Sequence, residues 1–524
     1  MNQTVSKQED NKMKKLTRHL YTMCAAVAVL AFASCEDWLN VPPSTSTDTD
    51  NAMKTVADAQ IALNGVYRLA SAHSYYGDNY YYFGDCRAED VQEREAKGAG
   101  RRVSPYYEYN VLADDAFNIK LPWEQVYKVI RQTNNIIQKS GDGSVETNGA
   151  DEEAQLKEIR AEALAMRALA HYDLVRLFAM PYMVDSLALG VPIELEPTLP
   201  THRPARDTVR NVYARIIRDL NDAIATGLTR DKNDGAFNYW SAKALLSRVC
   251  LNKGDWRGAY DAAVDVIENN GGLYRLYTHD EYPTVWGQDF TSESLFEFYF
   301  TQTEPAGGSG GEGAPMVYAD NVLDWNNLIL TEAFLNLLDE DPDDVRHQIT
   351  ALPQKPEADD LPHMTDAQGN QVSIADRPVY LAKFPGKSGD GNTPQDNNLI
   401  VLRLSEVYLN AAEAAFHLGG AEAEQGRAYL NEIVSRANPD KSVSTADFTL
   451  ERILKERRKE LVGEGLAVYD YLRNGLTISR NGGWHLMNLD AADARSIAPD
   501  DLRHALPIPQ SEIDANPNIK QNLR

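Results

Sequence analysis

The chain has 524 residues, 43% hydrophobic and 25% charged, a balance that builds a globular protein with a sizeable core and excludes a disordered one. Its formal charge of −25 repels nucleic-acid phosphates and anionic lipid headgroups, which removes both as partners. Four cysteines with no CxxC and no zinc-type spacing exclude a disulfide scaffold; Cys86 and Cys250 could pair in an oxidising compartment, but buried free thiols are the expectation.

Lys14, Lys15 and Arg18 precede a mostly apolar run from Leu20 to Ala33, and Ala33-Ser34 stand immediately before Cys35. A basic head, an apolar run too short to span a bilayer and small residues at a cut site make residues 1–34 an export signal. Ordinary secretory cleavage needs no cysteine at that point, so Cys35 resembles the acylated cysteine of bacterial lipoproteins, whose palmitate-type chains tether the mature protein to a membrane. Glu36 and Asp37 resemble the acidic signal that sends such lipoproteins of the Bacteroidetes to the extracellular face of the outer membrane. Residues 35–50, including the Pro/Ser/Thr-rich Val41–Asp50, read as lipidated N-terminus and linker. No later apolar run is long enough to cross a bilayer.

Helical patterns dominate the chain beyond the linker. From Ile159 the apolar residues Ile159, Ala163, Met166, Ala170, Leu174 and Leu177 fall at helical spacing, one stripe of a helix. Thr208–Leu228 reads as another helix, with Gly227 near its end. Ala242–Ile267 is a helix, a turn at Lys253-Gly254-Asp255 and a second helix, and Leu404–Val434 repeats that plan around Gly419-Gly420. Both resemble tetratricopeptide-type pairs, and since a single pair cannot bury its own apolar face, the two are expected to stack. Residues 51–270 are therefore assigned to an N-terminal helical region and 271–524 to a C-terminal one, with 271–400 as an irregular, loop-rich lobe that contains a strand-like Ser294–Phe300.

Few motifs carry chemistry. Gly307, Ser309 and Gly311 match a nucleophile elbow in spacing, but Ser309 lies among small residues with Pro315 close behind, so a loop is the reading. Asp339, Asp341 and Asp343 imitate the start of a calcium loop, yet Asp344 stands where glycine is required and Thr350 where glutamate is, which leaves an acidic helix end. Phosphate, zinc-protease and dinucleotide motifs are missing, so no cofactor or metal is expected and nothing compels an enzyme.

Aromatic residues stand out instead. A sugar lays its C–H patches on ring faces and gives its hydroxyls to carboxylates, amides and guanidinium groups. Tyr75, Tyr76, Tyr80, Tyr81 and Tyr82, interleaved with Asp78, Asn79, Asp85, Arg87 and Asp90, have that composition, although the same residues suit inward-packed tyrosines with bonded hydroxyls. Trp286, Tyr318 and Trp325 in the lobe are further candidates, and Trp123 is expected in the core.

These segments together resemble one family. CEDWLNVPP at Cys35, DAQIALNGVYRL at Asp58, WEQVYKVIRQTN at Trp123, RAEALAMRALAHYDLVRLFAMPY at Arg160, LIVLRLSEVYLNAAEA at Leu399, ERRKELVGEGLAVYDYLRNG at Glu456 and LPIPQSEIDANPNIKQN at Leu506 match, in order, the SusD/RagB nutrient-binding lipoproteins of Bacteroidetes. The resemblance implies a mainly α fold, a SusD-like α-α superhelix of tetratricopeptide-like pairs supporting the irregular lobe. It implies a cell-surface, non-catalytic protein that binds oligosaccharide and a SusC-like TonB-dependent transporter as partner. Peptide capture within the same family, a surface glycoside hydrolase and a lid without ligand remain alternatives. Arg403 with Glu406, and Arg457 and Arg458 with Glu460, are then expected to tie helices together in part-buried pairs.

Overall fold

A computed structural model describes residues 53–93, 102–198, 201–308, 313–318, 327–351, 379–387, 394–482 and 492–523, with 485 and 489. Cys35, the export signal, Ser309 and Trp325 lie outside the described residues.

Helix α1, Val56–Ala70, begins at a capping box in which the Thr55 hydroxyl accepts from the Asp58 N–H and the Asp58 carboxylate accepts from the Thr55 N–H. After it come α2, Asn79–Cys86, and α3, Leu121–Lys139, which carries Pro122 in its first turn, where no intrahelical donor is lost. Helix α4, Ala150–Phe178, is the long central element. The single stripe expected on it understates the burial, because every residue from Ala161 to Phe178 is buried. The cause is packing from two sides: α1 and α3 cover one part of α4, and α5, Val209–Thr226, another. Its run of alanines lets these neighbours approach closely.

Helices α6, Tyr239–Lys253, and α7, Trp256–Asn269, form the first pair. Gly254 adopts φ +76° at the turn, and Asp255 caps α7 by accepting from the Gly258 N–H at 3.1 Å. Helix α8, Glu332–Asp339, lies between the pairs in sequence. The second pair is α9, Leu404–Leu418, and α10, Gly420–Ala437, turning at Gly419 with φ +72°. The pairs stack as expected, with α9 packed on both α6 and α7. Helices α11, Leu450–Leu461, and α12, Ala467–Arg473, complete this end. Leu409, Leu430, Ile433, Ile453 and Leu461 form its apolar core, each almost fully removed from water. Trp123 is buried, as is each of the free thiols Cys86 and Cys250.

Strands β1, Val91–Glu93, β2, Ser294–Phe298, β3, Leu328–Leu330, and β4, Leu399–Arg403, make two short antiparallel ladders, β1 with β3 and β2 with β4. In the second, Ser294 faces Arg403 and Phe298 faces Leu399, with irregularities on either side of Phe296. Asp339 ends α8, and Asp341 accepts from the Asn438 amide, so this acidic stretch is a helix end. Among the described residues no group of three or more His, Cys, Asp or Glu is placed to hold a metal, and no helix is long and apolar enough to cross a membrane.

Candidate functional site

The tyrosine-rich segment turns inward. Tyr75 and Tyr76, in the loop after α1, and Tyr80, in the first turn of α2, pack ring on ring with centroids 4.7–5.6 Å apart. Their three hydroxyls all donate to the buried Asp173 carboxylate on α4, Tyr75 at 2.5 Å and Tyr76 at 2.8 Å. Arg176 completes the cluster at 2.9 Å from Asp173. Burial, with Asp173 adding to it for Tyr75 and Tyr76, raises the pKa of all three phenols, which therefore stay neutral donors.

Tyr81 donates to the Ile400 carbonyl and Tyr82 to the Asn79 side chain. Helix α2 is buried along its whole length because it crosses the chain at Gly465 in near backbone contact. A Cβ on Gly84 would lie 2.1 Å from the Gly465 carbonyl oxygen.

The remaining candidates are structural ties in the same way. Asp85 accepts from the Tyr318 hydroxyl and the Gly465 N–H, each at 2.9 Å, and burial lifts its pKa to about 7. Arg87 donates to the carbonyls of Arg503 and His504 and lies 3.9 Å from the centre of the Tyr109 ring. Asp90 holds the Arg458 guanidinium through both carboxylate oxygens. Trp286 is buried between Tyr277 and Tyr282, with Lys383 4.6 Å from its ring centre. Tyr318 stacks on Phe384. The surface platform expected at Tyr75, Tyr76, Tyr80 and Tyr81 is thus corrected: their rings fill the core because a carboxylate far along the chain gathers hydroxyls of this cluster.

The anticipated charge pairs are also redistributed and deeper than expected. Arg403 bonds Glu293, Glu460 and Glu464 rather than Glu406, which takes Arg248. Arg457 bonds Asp470 at 2.9 Å. Glu460 receives Arg403, Arg436 and Arg346, and these cations hold its carboxyl well below the usual range despite the opposing effect of burial.

Among the described residues, two open clefts are wide enough for a sugar ring. One, of about 460 Å³, lies beside Trp123 and Tyr127 on α3 and reaches His202 and Glu512. The larger, of about 740 Å³, lies between α1, α4, the 233–236 loop and the residues Phe290 and Tyr299 that flank β2. Its walls carry the amides of Gln60, Asn64, Gln155 and Asn233 and the carboxyls of Glu158, Glu162 and Asp234. Tyr67 donates to Glu162 at 2.5 Å, and burial raises the Glu162 pKa to about 8. At the rim the Phe290 and Tyr299 rings lie nearly parallel, 5.7 Å apart at 18°. Neither ring was among the sequence candidates.

Over 90% of this chain and all of the other, a crystal structure of a SusD superfamily protein from Bacteroides thetaiotaomicron VPI-5482 is 59% identical, with a TM-score of 0.83. The chain belongs to the SusD family. Residues 357–524 match the SusD family itself, and residues 37–251 match the family described as starch-binding and associating with the outer membrane. Two further solved structures cover 90% of this chain and 99% of their own. A putative sugar binding protein from Bacteroides vulgatus ATCC 8482 is 33% identical with a TM-score of 0.78, and a laminarin-binding SusD-like protein is 25% identical with a TM-score of 0.67.

Proposed function

We propose that this SusD-family chain captures oligosaccharide at the outer face of the outer membrane, anchored through Cys35, and hands it to a partner TonB-dependent transporter without chemistry on the glycan. The observation that carries the reading is the match of residues 37–251 to starch-binding proteins associating with the outer membrane. The sugar-binding and laminarin-binding relatives support the same ligand class. So does the composition of the larger cleft, in which amides and carboxyls converge beside exposed ring surface.

One observation favours a second reading, hydrolysis. Glu158 and Glu162 share the larger cleft, and Glu162 holds a raised pKa of about 8, as a general acid does. Glycosidase carboxyls flank the scissile bond from two sides. Glu158 and Glu162 stand on adjacent turns of α4 and so share one wall, which favours holding the glycan over cutting it.

Glycan-array binding and calorimetry with the full chain test the proposal, together with a reducing-sugar assay. Binding without product supports capture, and release of shorter sugars converts the protein to an enzyme. Binding of peptides alone moves it to the peptide-capturing alternative. Incorporation of labelled palmitate into Cys35 and digestion of the protein by protease added to intact cells test the anchoring.

A further inference from the structure

We infer that the larger cleft, floored by α1 and α4 and rimmed by Phe290 and Tyr299, is a binding site for a neutral oligosaccharide, with Tyr299 as its stacking ring and Asn64 and Glu162 among its polar contacts. This rests on the glycan-capture reading above and adds a location and a charge class to it.

The rim is held in place. Phe290 sits at φ +48°, a conformation that a bulky residue rarely adopts. Three contacts fix it there: its N–H donates to the buried Glu297 carboxylate at 2.7 Å, its carbonyl accepts from Lys232, and its ring lies along Tyr299. Strain of this kind persists where the surroundings over-determine it, and it concentrates at ligand-holding positions. The product here is an exposed aromatic ledge. Tyr299 is 53% exposed while Phe298 and Phe300 on either side of it are buried, so Tyr299 alone in that stretch presents its ring to water. Lys387 lies 4.1 Å from the centre of the Tyr299 ring and pairs with Asp289 at 2.7 Å, which steadies the ring.

The walls argue for a neutral ligand. No lysine or arginine is among the residues lining the cleft, and the two that reach its rim, Lys232 and Lys387, are already paired with Asp234 and Asp289, so a uronate or sulfated sugar would have to compete with those carboxylates. Of the three carboxyls, Asp234 already has Lys232 at 3.4 Å, and Glu162 is kept protonated at neutral pH by burial and by the neighbouring Glu158 charge. A protonated carboxyl and four amides both donate and accept, which is the pairing that sugar hydroxyls require. Glu162 Oε2 is engaged by Tyr67, whose own oxygen is anchored by the Phe237 N–H at 2.9 Å; among the described residues nothing engages Oε1. A cationic ligand is less suited, since among the described residues only Glu158 stands there as an unpaired charge.

The test compares the wild-type full chain with Tyr299→Ala and Asn64→Ala by affinity electrophoresis and calorimetry. The probes are laminarin, starch and xylan as neutral polymers, alginate as an anionic one and chitosan as a cationic one. Expected is binding to at least one neutral polymer, weakened about tenfold or more by Tyr299→Ala and by a smaller factor by Asn64→Ala, with no competition from alginate. Tyr299 is on the surface and Asn64 is exposed, so both variants should fold, and circular dichroism checks this. A neutral polymer bound equally by wild type and Tyr299→Ala overturns the site while the capture reading stands. Preference for alginate or chitosan overturns the charge class. Failure of the wild type to bind any of the five overturns the capture reading itself.

Discussion

Arg403 Nη1 lies 2.7 Å from Glu460 Oε1, and both side chains are almost completely removed from solvent. One is the last residue of β4 and the other belongs to α11, so this pair joins the small ladder to the helices. Two charges taken out of water attract strongly at short range, but each depends on the other to offset its desolvation. Arg436 and Arg346 share the same carboxylate, which makes Glu460 a hub that three cations require.

Replacing Glu460 by Gln should therefore destabilise the fold by about 3–5 kcal/mol, because three guanidinium groups lose a buried counter-charge at once. Urea unfolding monitored by circular dichroism reads this as a lower midpoint. The exposed pair of Arg257 and Glu422 is the contrast, and Glu422→Gln should leave the midpoint unchanged.

Tyr75→Phe and Tyr80→Phe each remove one donor to Asp173 and should cost about 1–3 kcal/mol of stability. Glycan affinity should not change in either variant, since neither residue lines either open cleft. A loss of affinity with unchanged stability would return these tyrosines to the ligand surface, and paired calorimetry and thermal melts separate the two.

Gly465 adopts φ +72°, and a Cβ added there would fall 2.2 Å from the Tyr81 carbonyl oxygen. Gly465→Ala combines a left-handed backbone penalty with a backbone clash, so a loss above about 2 kcal/mol is expected. Thermal melting and soluble yield measure it.

Stability should depend on pH on both sides of neutrality. Burial lowers the pKa of His171 and His504 to about 4, so the unfolded chain binds protons that the native one refuses between about pH 6.5 and 4. Their contribution is complete above about 6.5 and is lost as pH falls. Glu162 works in the opposite sense: with a native pKa of about 8 it holds a proton that the unfolded chain releases above about 4.5. Its contribution is complete below that value and is lost as pH rises to about 8. Melting temperature should thus fall between about pH 6.5 and 8, and Glu162→Gln should flatten that fall and steepen the loss below about 6.5, where Glu162 opposes the two histidines.

Local signals were legible in the sequence, and long-range partners were not. Gly254 and Gly419 marked both helix-pair turns because a left-handed turn needs a residue without a Cβ. Thr208 and Gly227 bounded α5 for the same kind of local reason. The composition of Tyr75–Tyr82 could not separate a sugar platform from a core, because the deciding group, Asp173, stands more than ninety residues away. Arg403 and Glu406 are close in sequence and yet bond different partners, one on α11 and at the edge of β2, the other on α6. Tyr299 did leave a signal: in SLFEFYF the period of two puts it on the face opposite Phe298 and Phe300, the two that pack inward.

The ladder of β2 and β4 clasps both ends of a long excursion, since Phe298 faces Leu399 and Ser294 faces Arg403. The described residues of 299–398 also touch the rest of the fold on the way, β3 against β1 and Asp341 against Asn438. The entropy of closing such a detour grows only slowly with its length. A sequence drift that lengthens or shortens the detour therefore costs little closure entropy while the girders beneath keep their joints.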